Sequence, residues 1–251
     1  MLITSKDNST IKDIKKLKEK KYRKEKFLVE GIKMVREAIQ ENADIELIVL
    51  REGTELDFDI SKFNNIEASE KVFNELTDVV APQGVIAVVR KNNKNNEIDY
   101  SADYILALNG LQDPGNLGTI LRTADSANLK QIIVSKDTVD AYSPKVIRST
   151  MGAIYRINII EVDDLVKTLE EAKKNEFQIV TTDLQTDKSI YDLDYNKKVV
   201  VIGNEANGVT KEVKEAADYK VIIPMLGKTE SLNASVAAGV MIYEYVRQKI
   251  K

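Results

Sequence analysis

The chain has no cysteine and no histidine among its 251 residues. Without thiols there are no disulfides and no thiolate nucleophile, and without either residue a zinc site is excluded. No metal is expected. A Ser-His-Asp triad is impossible, as is any imidazole acid–base step. Chemistry must come from carboxylates, Lys, Arg, Tyr, Ser, Asn and backbone groups. The chain also lacks an apolar run long enough to span a bilayer. Its start, Met1 to Asp7, shows no basic segment leading into an apolar stretch. A cytoplasmic protein is expected.

Net charge is small, −3, but its distribution is uneven. Residues 1–36 hold twelve Lys or Arg against five acids, and residues 37–97 hold six against thirteen. A basic arm on a near-neutral body suits contact with nucleic acid. The same pattern also reads as a solvated Lys-rich helix.

Asn8-Ser9-Thr10 offers caps for a helix with Ile11, Ile14 and Leu17 on one face. A strand follows from Phe27 to Gly31, then a helix over 32–40. A strand over 45–50, a helix over 69–77 and a strand over 85–89 complete a small α/β unit. Lys91 to Glu97 has no apolar residue and reads as a linker. Beyond it, strands near 103–108, 131–134, 178–182, 199–202 and 220–223 alternate with helical stretches. That alternation predicts a parallel sheet with helices on both faces. There is no internal repeat.

Three segments in the second half carry the chemistry. They are Asn109-Gly-Leu-Gln-Asp-Pro-Gly-Asn-Leu-Gly-Thr-Ile-Leu-Arg-Thr-Ala124, Val201-Ile-Gly-Asn-Glu-Ala-Asn-Gly208 and Ile223-Pro-Met-Leu-Gly-Lys-Thr-Glu-Ser-Leu-Asn-Ala-Ser-Val-Ala237. The first follows a strand, where open α/β sheets place their sites. Its Asn116 reads as a cap for a helix beginning near Leu117, with Arg122 six residues on. In the second, glycines let backbone approach a ligand, and Glu205 precedes a helix starting near Thr210, whose positive end it would favour. In the third, Ser231 opens the last helix. Gly227-Lys228-Thr229 is no phosphate loop, because position 222 is Ile where that pattern needs Gly. A Rossmann-type enzyme would need Gly-x-Gly-x-x-Gly after a strand, and none is present. The last helix is apolar almost all round from Val236 to Tyr243, which predicts burial.

In this order and spacing the three segments closely resemble the motifs of the SpoU/TrmH family, the knotted RNA ribose 2′-O-methyltransferases. Ser143 to Tyr155 matches a further family segment. Phe27 to Ala38 and Gln83-Gly84 resemble the opening and close of the L30e-like substrate-binding domain often fused ahead of the methyltransferase. Departures are few: Ala234 stands where Val is frequent and Thr150 where Ser is frequent.

The resemblance implies an L30e-like α/β domain over 1–95, then an α/β-knot domain with a deep trefoil knot and mostly parallel sheet over 96–251. It implies methyl transfer from S-adenosylmethionine to an RNA 2′-hydroxyl by in-line attack, with 23S-type rRNA as substrate. A tRNA target and a non-catalytic ribosome-assembly role are the alternatives. It assigns the active site to Asn116, Arg122, Glu205, Ser231 and Asn233. The cofactor residues it implies are Thr182, Ile202, Gly203, Asn204, Gly208, Ile223, Pro224, Met225 and Leu232. Lys20, Lys21, Arg23, Lys26, Gln83, Lys145 and Arg148 are the expected RNA contacts. Arg122 is essentially always protonated, so it suits a phosphate or a developing alkoxide better than a proton-accepting role. A homodimer is expected through the last helix, with Val236, Val240 and Tyr243 at the contact.

Overall fold

The computed structural model describes residues 2–91 and 97–250. Residues 92–96, the centre of the expected linker, lie outside the described residues. The chain divides into two compact units, Met1–Lys94 with Asp140–Tyr155, and Asn95–Val139 with Arg156–Lys251.

The first unit opens with β1 (Leu2–Ile3) and α1 (Ser9–Lys16). Asn8 caps α1 by accepting from the Thr10 and Ile11 amides, a contribution of about 1 kcal/mol. The 3.6-residue period puts Ile11, Ile14 and Leu17 in the core. Then come β2 (Lys26–Glu30), α2 (Ile32–Gln40), β3 (Ile45–Arg51), β4 (Asn65–Ala68), α3 (Glu70–Phe73) and β5 (Val85–Arg90). They form a five-stranded sheet in the order β1-β4-β3-β5-β2. β3 runs parallel to β4 and antiparallel to β5.

Three details differ from the sequence expectation, in which the two-residue β1 has no counterpart. β4 is a four-residue strand with only Ala68 buried, too short and too polar to give an alternation signal. α3 stops at Phe73 instead of running to Thr77. Leu76 still reaches the core through the turn that follows.

The second unit begins with β6 (Tyr104–Asn109), α4 (Pro114–Ser126) and β7 (Gln131–Ser135). The chain then contributes α5 (Pro144–Thr150) to the first unit. There Arg23 pairs with Asp140 at 2.7 Å, and the rings of Phe27 and Tyr142 lie 4.9 Å apart. The second unit resumes with β8 (Asn158–Val162), α6 (Leu165–Lys174), β9 (Gln178–Thr182), β10 (Lys198–Gly203), α7 (Lys211–Ala216), β11 (Tyr219–Val221) and α8 (Ala234–Lys249). All six strands pair in parallel, in the order β11-β9-β10-β6-β7-β8. One face buries Ile105, Ala107, Ile133, Val199 and Val201 against Leu165, Leu169 and Val213. α4 and α8 pack on one another, with Gly239 of α8 facing the Thr123 methyl at 3.8 Å from where a Cβ would stand. Successive strands step outward from β6 in one direction and then return on its other side. The reversal falls between β6 and β10, and a sheet opens a crevice at such a point.

The helix starts correct two expectations. Pro114, not Leu117, begins α4, and Asp113 caps it by accepting from the Asn116 amide at 2.8 Å. Proline at the first helical position needs no amide partner and is preset for the helix. Asn116 is thereby moved inside the first turn and its side chain is released from capping. Likewise Asn233 caps α8, accepting from Ser235 and Val236, so Ser231 lies in the preceding loop. α8 also differs in burial. Ala238, Met241 and Ile242 are covered, while Val236 and Tyr243 are 50% and 48% exposed. The apolar circumference is therefore only partly satisfied within one chain.

Candidate active site

β6 and β10 lie side by side, with Asn109 opposite Gly203 at their carboxyl ends. Beyond Gly203 the chain folds back tightly. Asn204 and Gly208 exchange two backbone hydrogen bonds of 2.9 Å. Gly208 takes a left-handed conformation at φ +67°, which glycine adopts without a Cβ penalty. The Asn204 side chain braces this turn from inside, accepting from the Ala206 and Asn207 amides and donating to the Gly110 carbonyl at 2.8 Å. A Cβ on Gly203 would collide with the Gly208 carbonyl group and the Val209 nitrogen. That position admits only glycine while the turn is closed.

A cleft of about 370 Å³ opens beside this turn. Of the residues expected at a cofactor, Thr182, Ile202, Gly203, Asn204, Gly208, Ile223, Met225 and Leu232 line it. Pro224 is not among the lining residues. Glu205 and Ser231 line it as well. Asp183, Leu184, Gln185, Lys214 and Glu230 also face the cleft and were not singled out from sequence. The signal for residues 183–185 was there: they follow the carboxyl end of β9, as the other lining segments follow β10 and β11. Lys214 and Asp183 stand 3.3 Å apart.

The three segments meet at Glu205. Its carboxylate accepts from the Gln112 amide at 3.1 Å, the Asp113 amide at 3.0 Å and Asn116 Nδ2 at 2.9 Å. Asn116 Oδ1 in turn accepts from Asn233 Nδ2 at 2.9 Å. Burial pushes the Glu205 carboxyl up, but the bonds from Asn116, Gln112 and Asp113 outweigh it and hold the group below the usual glutamate range. Arg122 lies outside this cluster, about 9 Å further along α4 at 1.5 Å per residue. It is exposed and has no partner among the described residues.

The expected RNA contacts divide. Lys20 and Lys21 are exposed on a single 3-10 turn, with Lys21 paired to Glu19 at 2.9 Å. Lys145 is exposed on α5. Lys26 is half-buried and paired with Glu46 at 2.7 Å. Gln83 is exposed, and its Oε1 accepts from the Ile32 amide at 2.8 Å. It thus caps α2, whose N-terminal Gly31 has no side chain to do so.

Arg23 faces inward and corrects the expectation, whereas Arg148 is half-buried. Arg23 is 5% exposed and donates to Asp140 and to the Leu17 carbonyl. Arg148 borders a small cavity with Leu28, Glu30, Leu76 and Ile86, and its Nη1 is buried without a hydrogen-bond partner among the described residues. A charge count along the sequence does not separate a brace from a free cation.

Comparison with known proteins supplies the family. A model of the SpoU rRNA methylase family matches residues 103–243, and an MRM3-like substrate-binding domain matches residues 8–87. The chain belongs to the SpoU methylase family. Over 245 residues it is 31% identical to the 23S rRNA (guanosine(2553)-2′-O)-methyltransferase RlmP of Bacillus subtilis (strain 168), covering 96% of this chain and 97% of that protein. A crystal structure of an RNA 2′-O ribose methyltransferase superposes with a TM-score of 0.82 at 31% identity, covering all of both chains. An AdoMet-bound rRNA methyltransferase from Sinorhizobium meliloti superposes with a TM-score of 0.83 at 28% identity, covering 99% and 98%.

SpoU enzymes are RNA 2′-O-methyltransferases, and their methyl donor is S-adenosylmethionine. The cleft suits that cofactor. Gly203 lets the turn that forms the cleft wall close tightly, since a Cβ there would meet the backbone of Gly208 and Val209. The carboxylates of Asp183, Glu205 and Glu230, against the single ammonium of Lys214, favour a ligand of net positive charge.

Proposed function

We propose that the chain methylates a ribose 2′-hydroxyl of 23S-type rRNA. The observation that carries this reading is the meeting of all three motif segments at Glu205, beside a cleft at the carboxyl ends of β9, β10 and β11. The likeness to RlmP along nearly the whole length of both chains supports rRNA as the target.

Bound S-adenosylmethionine would supply a methyl group already activated on sulfonium, so the protein's part is positioning and charge stabilisation. Thr182, Ile202, Gly203, Asn204, Gly208, Ile223, Pro224, Met225 and Leu232 hold the cofactor in this reading. Arg122 binds a phosphate beside the target ribose or offsets charge on its 2′-oxygen. Asn116, Glu205, Ser231 and Asn233 complete the site. The 2′-hydroxyl itself discriminates RNA from DNA.

Residues 1–95 act as the substrate-binding domain and 96–251 as the methyltransferase domain, with 140–155 bracing the former. Lys20, Lys21, Lys26, Gln83 and Lys145 contact the RNA. A trefoil knot within 96–251 is part of this reading, on the family resemblance alone. A cytoplasmic homodimer covers the open side of α8 at Val236, Val240 and Tyr243. The half-exposed apolar residues of that helix support the contact.

The test is transfer of labelled methyl from S-adenosylmethionine to unmodified rRNA, followed by mapping of 2′-O-methyl sites. A single new site in 23S-type rRNA is the expected result. Modification of tRNA alone, or cofactor binding without transfer to any RNA, would overturn the assignment.

A further inference from the structure

The cluster around Glu205 has a directional logic. An ionised carboxylate only accepts hydrogen bonds. Asn116 must therefore turn its NH2 group toward Glu205, which leaves its Oδ1 pointing at Asn233. Asn233 must then offer its own NH2 to Asn116, and its Oδ1 is left for the Ser235 and Val236 amides and the Ser235 hydroxyl. One carboxylate thus settles the orientation of two amides in sequence. Each NH2 carries two N–H bonds and spends one within the cluster. The second N–H of Asn116 and of Asn233 has no partner among the described residues; Asn233 is exposed and Asn116 half-buried.

Resting on the methyltransferase reading above, we propose that Glu205 is a positioning residue. It orients Asn116 and Asn233 so that each keeps one N–H donor for an RNA oxygen beside the target ribose. Glu205 itself takes no proton. All of its described bonds are received from groups that tie the start of α4 to the turn after β10. A carboxyl held ionised in this way is a weak base. The same bonds fix the first turn of α4, the helix that carries Arg122, so the donors and the guanidinium are set from one anchor.

The substitution that tests this is Glu205→Gln in the full-length protein. A glutamine keeps the shape but brings an NH2 of its own against Asn116, which disturbs the amide order. Turnover on RNA at saturating S-adenosylmethionine should fall tenfold or more, a loss that raising the cofactor concentration does not recover. The side-chain ¹⁵N–¹H signals of both Asn116 and Asn233, assigned by Asn→Asp substitution, should shift together at neutral pH. Asn233 makes no described hydrogen bond to residue 205, so a shift there reports the relay through Asn116. Combining Glu205→Gln with Asn116→Ala should be little worse than Asn116→Ala alone.

A wild-type-like rate for Glu205→Gln, or an unmoved Asn233 signal, would overturn the proposal. If Glu205→Gln does not fold, Glu205→Asp carries the same spectroscopic test, since the shorter carboxylate draws away from Asn116 and must also move Asn233. An inactive wild type would instead defeat the methyltransferase reading, and the amide signals would still decide the relay.

Discussion

Gly203→Ala is the sharpest perturbation the fold offers. Gly203 does not have a positive φ, so alanine meets no conformational barrier there and the effect is purely steric. The new methyl would fall on the carbonyl group of Gly208 and the nitrogen of Val209. These are backbone atoms that cannot rotate away. Ordinary contact requires the turn to move out by roughly 1 Å or more. That movement breaks the two Asn204–Gly208 hydrogen bonds, each worth about 1 kcal/mol net. Strain adds at least about 1 kcal/mol, for a loss near 3 kcal/mol. In a chain of this size the melting temperature should drop by about 6–12 °C. The cleft wall moves with the turn, so S-adenosylmethionine affinity should fall at least tenfold. Gly208→Ala is the internal control. Its left-handed backbone costs alanine about 1–2 kcal/mol, but nothing stands within 4 Å of the new methyl, so it should be milder on both counts. Thermal melts and isothermal titration of the two variants give the comparison. If Gly203→Ala melts within a degree of wild type and binds the cofactor normally, the closed turn is not what shapes the cleft.

Arg122→Ala should lower methylation by about a hundredfold or more, as loss of one strong charge-stabilising donor does, and leave cofactor affinity unchanged in the same titration. Arg23→Ala strands Asp140 and should cost about 3 kcal/mol in urea unfolding, which marks Arg23 as a brace and not an RNA contact. Val240→Glu should dissociate the proposed dimer in sedimentation and abolish activity, because an unpaired carboxylate at a covered apolar contact is costly; an active monomeric wild type would exclude the contact. Burial raises the Glu30 carboxyl above its usual 4.5, against the hydrogen bond from Thr77 and the charge of Arg148. A raised folded value means stability is lost as pH climbs from about 4.5 through that value, so Glu30→Gln should flatten the melting curve's dependence on pH across that window.

Much of the molecule was legible in the chain because its signals are local. The period of α1, the apolar runs of β6, β7 and β10, and the glycine turn at 203–208 each depend on neighbours a few residues away. The motif spacing carried the family, and with it the residues of the cleft. Strand β4 and the true starts of α4 and α8 were harder. A four-residue strand has no period to read, and a cap depends on which of several polar residues the chain actually turns at.

What only the tertiary structure decided concerns partners distant in sequence. Arg23 and Asp140 are separated by 117 residues, as are Asn116 and Asn233. No local pattern distinguishes a solvated arginine from one buried on a carboxylate, or says which end of an asparagine amide faces a glutamate. By itself the sequence determined which groups could act and that they would gather at strand ends. Folding decided which of them are free to act, because hydrogen-bond capacity spent inside the protein is no longer available to a substrate.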